Sequence, residues 1–339
     1  MPLQPPAPAE AVTVSVLVVN YNGSSFLPGL LASLQTAFVR HRAEVIVLDN
    51  ASSDGSAAYL LGCTGIKALL QSVNTGFAGG NNIAAQYARG TVLLLLNNDT
   101  FVNEPLDELV DAALGHDVGA AGCALRYGDG RLQFSIGLAH TPMRLVLSWL
   151  GLEKRRWSPA VFRKFETRPE CYALPQRNVN WISGACLATR REVWDRLGGL
   201  DERFFMYCED VDYAMRARVL GLRVAYLPRP CVTHFEGGGK PWVGAAALHR
   251  SLRSYVLLVS EHQGWGQARA VAGALSVLFG LRCAVFRLRA VWRRGRPRLL
   301  DEEKAQAYGQ AAAVAARAAL KGQVPPPWKA PETGSRPGC

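Results

Sequence analysis

The run Thr91-Val-Leu-Leu-Leu-Leu-Asn-Asn-Asp-Thr100 constrains this chain more than any other stretch. Val92 to Leu96 are apolar without a break, as in a strand buried on both faces in the middle of a parallel sheet. Such a strand carries no polar side chain until it leaves the sheet. It then presents Asn97, Asn98 and Asp99 together, at the carboxyl end of the strands, where open α/β sheets bind ligands. One carboxylate flanked by amides in that place suits a divalent cation holding a diphosphate. The same residues also suit an ordinary Asn/Asp turn, so the run needs support from the rest of the chain.

Two earlier segments end in the same way. Val12 to Val19 alternates, then runs apolar, and is followed by Asn20-Tyr21-Asn22-Gly23. Ser24 or Ser25 is placed to cap a helix with Phe26, Leu27, Leu30, Leu31 and Leu34 on its inner face. Glu44 to Leu48 is followed by Asp49-Asn50-Ala51-Ser52-Ser53-Asp54-Gly55 and again by a helical pattern. Two strand–helix units in succession predict a right-handed parallel crossover and an α/β sheet. Asp49 can accept hydrogen bonds from a nucleobase or a ribose. Capping the next helix is its alternative role, for which Ser52, Ser53 and Asp54 also qualify.

Asn74 to Asn82 holds three glycines and three asparagines among nine residues, and reads as a backbone loop before a helix over 83–88. Its spacing is neither G-x-G-x-x-G nor a Walker loop, which weighs against simple NAD or ATP binding. Beyond the central run, Glu104 to Leu114 predicts a helix with Pro105 in its first turn, and Val118 to Leu125 a strand. The stretch 133–178 has no clean period and reads as an insertion on the acceptor side.

Ile182 to Thr189 predicts a strand and Arg190 to Leu197 a short helix ended by glycine. Glu209, Asp210 and Asp212 then fall in the first turn of another helix, where acids are favoured, and Asp212 pairs with Arg216 at i,i+4. That pairing accounts for Asp212. Glu209 and Asp210 follow an aromatic stretch, and two adjacent desolvated carboxylates are candidates for a general base. Leu222 to Leu227 is the last expected strand, ending at Pro228. His234 follows, either a surface residue or a second contact to a metal or phosphate.

The carboxyl region differs in kind. Ala246 to Glu261 is an amphipathic helix carrying Arg250 and Arg253. Val271 to Leu281 is apolar, but Arg282 interrupts it after eleven residues, too short to span a bilayer. From Arg282 to Arg298, arginines interleave with Val285, Phe286, Leu288, Val291 and Trp292. That mixture suits a helix lying on an anionic membrane, or one packed on the rest of the protein with its arginines solvated. An Ala-rich helix over 302–320 and a Pro-rich tail over 321–339 follow.

Hydrophobic content of 49% and charged content of 19% are globular values, and 339 residues fit one large domain with an appendage, or two domains. The net charge of +11 would serve nucleic acid, a membrane surface or an anionic substrate. No nucleic-acid module or stacking motif accompanies it, so nucleic acid is not the expected partner. The eight cysteines form no C-x-x-C pair, which argues against a zinc ribbon or disulfide framework and for a reducing cytosol. The opening MPLQPPAPAEA lacks charged and apolar signal regions and reads as a flexible tail over 1–11.

Taken together, VVNYNG (18–23), LDNASSDGS (48–56), NTGFAGGNN (74–82), LLNNDT (95–100), ISGACLATRREVWDRLGGLDERFF (182–205), EDVDYAMR (209–216) and VTHFEGG (232–238) form a pattern. It resembles the family 2 glycosyltransferases of GT-A fold, in particular their rhamnosyltransferase-like branch, over residues 12–238. The resemblance implies an α/β nucleotide-diphospho-sugar transferase fold: a Rossmann-like mixed sheet flanked by helices, followed by a basic helical region over 239–320. It implies donor contacts from Asp49, Asn20, Asn22, Asn74, Gly76, Asn81 and Asn98, and an acceptor side at Trp181 and Gly184. Asn97 and Asp99 occupy the ends of the family's D-x-D element, Asn97 replacing the usual first Asp. Asp99, Asn97 and His234 would then hold Mg²⁺ or Mn²⁺ against the diphosphate.

By the same resemblance Asp210, with Glu209 beside it, is the base of an inverting transfer. The implied partners are a dTDP- or UDP-linked sugar, with L-rhamnose the expected one, and a glycan or lipid-linked acceptor. The implied location is the cytoplasm, peripheral to the inner face of the cell membrane. Two other readings compete. A sugar-phosphate nucleotidylyltransferase should carry cations after its first strand, and NYNGSS has none. A non-catalytic relative should lose its acidic sites, yet Asp49, Asp99 and Asp210 are all present.

Overall fold

In the computed structural model, residues 12–150, 159–235 and 244–327 are described. The expected tail over 1–11, most of the tail over 321–339, residues 151–158 of the insertion and the glycines at 237–239 lie outside them. The chain groups into two compact units. The first takes its residues from before 139, from 165–203 and from 209 onward to the glycines; the second from 140–164, 204–208 and the carboxyl region.

The strands of the first unit are β1 (Val14–Asn20), β2 (Ala43–Asp49), β3 (Lys67–Leu70), β4 (Val92–Asn97), β5 (Thr100–Val102), β6 (Val118–Arg126), β7 (Leu132–Gln133), β8 (Ile136–Gly137), β9 (Trp181–Ile182), β10 (Cys186–Arg190) and β11 (Arg223–His234). Its helices are α1 (Leu27–Leu34), α2 (Ser56–Leu61), α3 (Gly76–Gln86) and α4 (Asp107–Leu114). The second unit contributes α5 (Pro142–Leu147), and the first resumes with α6 (Glu170–Ala173), α7 (Arg191–Leu197) and α8 (Glu209–Val219). The second unit ends in α9 (Gly244–Gln263), α10 (Trp265–Trp292) and α11 (Arg296–Lys321).

The main sheet runs β3-β2-β1-β4-β10-β6-β11-β5, with β7 on β6. β1 to β4 pair in parallel as expected from the two strand–helix units. β10 is antiparallel to both its neighbours, so the sheet is mixed. Val92 to Leu96 are all at most 1% exposed, in accord with a strand buried on both faces. One face packs Val16, Val18, Leu94 and Leu96 against Leu27 and Leu30 of α1 and Leu109 and Val110 of α4.

Connectivity forces this sheet to curl. Only Asn98 and Asp99 separate β4 from β5, so Asn97 and Thr100 lie at most about 11 Å apart. In a flat sheet the four spacings between those strands would total about 19 Å. The end of β11, which pairs with β5 (His234 opposite Thr100), is thereby brought back toward the end of β4. Pro228 to Pro230 lie in an irregularity where Leu227 and Cys231 oppose consecutive residues of β6, which bends β11 as the curl requires.

Several local expectations change. The last strand does not stop at Pro228 but continues to His234, because the prolines fall in that bulge. The Gly/Asn stretch is not a loop: α3 begins at Gly76, and a Cβ on Gly80 would lie 2.8 Å from Val19 Cγ1, so the glycine lets the helix rest on β1. Neither Ser24 nor Ser25 caps α1, since the N-cap is Phe26 and the Ser24 N–H donates to Asp54 Oδ2 instead. Pro105 precedes α4 rather than entering it; Asp107 opens that helix and accepts N–H groups of Val39, Arg40 and His41. The strand expected over 182–189 is broken at 183–185 into β9 and β10. The apolar stretch 271–281 is part of a 28-residue helix that is long and apolar enough, by length and composition, to cross a membrane.

Gly90 marks where the central strands are tightest. An added Cβ would lie 2.5 Å from the Ser15 amide nitrogen and 2.7 Å from the Val14 carbonyl carbon, both backbone atoms that cannot give way. Gly90→Ala is expected to destabilise the protein by about 1–3 kcal/mol, read as a lowered urea midpoint. An unchanged midpoint would show that this strand start can relax.

Candidate active site

The register of the parallel strands sets the polar residues in a line. Asn20 stands opposite Asp49, and Val19 opposite Asn97, so the carboxyl ends of β1, β2 and β4 fall at one edge. Asn20 is fully buried and donates its amide to Asp49 Oδ1 at 2.8 Å, while its oxygen accepts from Asn98 Nδ2 at 2.8 Å. A Cβ on Gly23 would sit 2.1 Å from that Asn98 nitrogen, so only glycine fits beneath this amide chain. Asp49 is 2% exposed and its second oxygen accepts the Ser52 N–H at 3.0 Å. α2 starts after Gly55 with no side-chain cap, so capping is not the role of Asp49; Asp54 accepts the Ser56 N–H and hydroxyl just ahead of it.

The other expected donor residues organise the loops around this line. Asn22, with φ of 52°, accepts the Ser53 N–H and donates its own to Ser52 Oγ. Asn74 Oδ1 accepts the Gly76 N–H at 2.9 Å. Asn50, which the sequence reading passed over, holds the start of α3: it accepts from the Thr75 N–H and donates to the Gly76 carbonyl. Asn81 is fully buried, donates to the Phe77 carbonyl, and has an Oδ1 without a hydrogen-bond partner among the described residues.

The curl of the sheet assembles the second group. His234 Nε2 lies 3.3 Å from Asp99 Oδ1 and 3.2 Å from Asn97 Nδ2. Its Nδ1 lies 2.9 Å from the Oε1 of buried Gln133, an atom that can only accept. With Gln133 behind Nδ1, the ring is held so that Nε2 faces Asp99 and Asn97, the orientation typical of a metal-ligating histidine fixed from behind. An ion about 2.1 Å from two adjacent ligands spaces them about 3 Å apart, close to the Asp99–His234 separation. With its amide turned over, Asn97 would add an oxygen at the same point.

Among the described residues no three His, Cys, Asp or Glu side chains form a ready-made cage. One carboxylate and one imidazole fit an ion that takes its remaining ligands from water and phosphate. No signal in the aperiodic stretch 133–178 marked Gln133; its role arises only from the pairing of β7 with β6.

The third group centres on Asp210. Gly184, in the break between β9 and β10, donates its N–H to Asp210 Oδ2 at 2.9 Å, and Val211 donates to Oδ1 at 2.8 Å. The neighbouring Ala185 carbonyl accepts the Asn97 N–H at 3.0 Å. The turn 183–185 thus joins Asp210 to the end of β4. Burial raises the Asp210 carboxyl, opposed by those N–H groups. Burial, then the Asp210 charge, pushes Glu209 well above the usual carboxylate range. Glu209 Oε2 is buried with no hydrogen-bond partner among the described residues. Asp212 pairs with Arg216 at 2.7 Å, as its spacing predicted. Trp181 is 5% exposed, packs against Phe165 with the rings tilted at 54° and donates its indole N–H to the Leu138 carbonyl, so it supports this segment from within.

The profile described as Glycosyl transferase family 2 matches residues 15–198. The N-acetylglucosaminyl-diphospho-decaprenol L-rhamnosyltransferase of Mycobacterium tuberculosis is 31% identical over 276 residues, covering 75% of this chain and 86% of that protein. The O-antigen biosynthesis protein RfbC of Myxococcus xanthus is 35% identical over 164 residues, 47% of this chain and 12% of that one. Among solved structures, the mannosyltransferase PcManGT of Pyrobaculum calidifontis, in complex with GDP-Man and Mn²⁺, superposes with a TM-score of 0.49 at 18% identity, covering 93% and 91% of the two chains.

The raised Glu209 carboxyl has a consequence for stability. Folded protein retains a proton that the unfolded chain, with an ordinary carboxyl, releases. Stability is therefore highest below the ordinary carboxylate range and falls as pH rises toward the folded-state value. Glu209→Gln removes that penalty, so its thermal midpoint should exceed the wild type's at pH about 8 and converge with it near pH about 4. An equal or lower midpoint at the higher pH would overturn the assignment.

Proposed function

This chain belongs to glycosyl transferase family 2, and from that premise we propose that it moves L-rhamnose from a nucleoside-diphosphate donor to a hydroxyl of a lipid-linked saccharide, with inversion. The observation that carries the reading is the frame made by β4 and the turn 183–185. The turn bonds to Asp210 through Gly184 and to Asn97 through Ala185, and Asp99 and His234 stand beside Asn97. A single displacement at the anomeric carbon needs both a base and a leaving-group site, and this linkage supports Asp210 and the Asp99 group in those roles.

In this mechanism Asp210 accepts the proton of the attacking hydroxyl as the bond to the anomeric carbon forms. Its raised pKa strengthens it as a base, while the Gly184 and Val211 N–H groups hold it in one orientation. Burial, then the Asp210 charge, raises the Glu209 carboxyl well above its ordinary range, which favours Asp210 as the charged member of the pair. Asp49 and Asn20, pre-ordered at the strand ends, are the proposed partners of the nucleoside, since each Asp49 oxygen retains a lone pair beyond its internal bond. A divalent cation, Mg²⁺ or Mn²⁺, held by Asp99 and His234 would neutralise charge on the departing diphosphate. Gln133 keeps Nε2 of His234 turned toward that place.

The name of the M. tuberculosis relative supports a polyprenyl-diphosphate-linked N-acetylglucosamine as acceptor and L-rhamnose as the transferred sugar, for which a dTDP-linked donor is our proposal. Calorimetric titration of the purified protein with dTDP-, UDP- and GDP-sugars, with and without Mn²⁺, tests the donor. Metal-dependent binding of dTDP-L-rhamnose is expected, and binding of a different donor class would overturn that choice. Asp210→Asn should lower transfer by about 10²–10⁴-fold while leaving donor affinity unchanged. Loss of both together would count against its role as base. Gln133→Leu should weaken Mn²⁺ affinity by about 10–100-fold without changing metal-free nucleotide binding. Unaltered Mn²⁺ affinity would overturn the positioning role of Gln133.

A further inference from the structure

The outer face of α10 is not used by any of these roles. Along it Val277, Leu281, Val285, Leu288 and Trp292 follow one another at steps of four, four, three and four residues, which is one helical stripe. They are 66%, 61%, 51%, 63% and 87% exposed. The opposite face is already occupied, with Ala272, Leu275, Phe279 and Cys283 buried within the helical unit. The helix is thus apolar on both sides, and only one side is covered.

Charge says what could cover the other. Residues 262–300 contain eight arginines and no Asp or Glu. Arg289 and Arg293 turn to Asp301, the first acid after the run, which is 1% exposed. Arg287 and Arg294 are exposed and have no acidic partner among the described residues. A second copy of this face would bring like charges together, which disfavours self-association. An anionic bilayer offers hydrocarbon for the stripe and phosphate for the arginines at one time. Trp292, at the end of the stripe, suits the headgroup level.

Spanning is disfavoured despite the length of the helix. Arg282 stands near its middle, donating to the Tyr308 hydroxyl, and the covered face is committed to protein. We propose that α10 lies in the plane of an anionic phospholipid surface, with the stripe Val277–Trp292 dipped into it and Arg287 and Arg294 on its headgroups. The inference goes beyond the transfer reaction and stands on surface geometry and charge alone.

The test is flotation of the full chain with vesicles of phosphatidylglycerol and phosphatidylcholine, compared with phosphatidylcholine alone. Binding to the anionic vesicles, weakened by salt, is expected, with each arginine near the surface contributing about fivefold. Val285→Asp with Leu288→Asp should weaken it by about tenfold or more. Arg287→Glu with Arg294→Glu should abolish the preference for anionic lipid. Both variants sit on exposed positions and should keep the wild-type circular dichroism and nucleotide affinity, so failure here is separable from failure of the donor assignment. The proposal is overturned if the wild type stays with the unbound fraction, if neither variant alters flotation, or if light scattering shows a dimer that Leu288→Asp converts to monomer.

Discussion

Two residues between β4 and β5 decide the geometry of the first unit. Asn98 and Asp99 are too short a link to cross a flat sheet from its middle to its edge. The sheet must therefore curl, and the bulge at Pro228–Pro230 supplies the bend. Residues more than a hundred positions apart meet as a result: His234 at the end of β11 faces Asp99 and Asn97, with Gln133 behind it. The short link also carries Asp99, so one stretch of chain both imposes the curvature and supplies a residue proposed above as a cation ligand.

The remaining polar groups are kept in place by amides rather than by opposed charges. Asn20 joins Asp49 to Asn98, and Asn50 joins the end of β2 to the start of α3. An amide is both donor and acceptor, so it can link two buried groups without adding a charge that would itself need a partner. Asp49 is consequently buried and Asp210 half-buried, with their oxygens partly satisfied by neutral donors. Glycines at 23 and 80 provide the clearance that lets these links close.

Glu209 is the place where local stability is set aside. Its buried oxygen has no hydrogen-bond partner among the described residues, and its charge would add to that of Asp210. Position alone does not demand this, since a first-turn acid can be solvated, as Glu192 of α7 is. A strongly perturbed buried carboxyl at the entrance of α8 is the kind of feature that clusters at functional sites.

How much of this was legible in the sequence divides along physical lines. Apolar runs that end in Asn or Asp gave the parallel strands and which ends of them are polar, because burial on two faces leaves a one-dimensional trace. The i,i+4 spacing gave Asp212 its partner, and motif order gave the family. Local punctuation misled where tertiary contact overrode it. Prolines in β11 looked like an end but lie in a bulge, glycines of α3 looked like a loop but clear a helix against β1, and Ser24 looked like a cap but is held by Asp54. Gln133 left no trace at all, since its place depends on a two-residue strand pairing in an aperiodic segment. The sequence by itself determined the strand cores, the acidic residues and the chemistry they are suited to. Only the tertiary structure decided which of them meet, because the curl that joins the two ends of the sheet follows from chain length across strand spacing, and no local pattern records that distance.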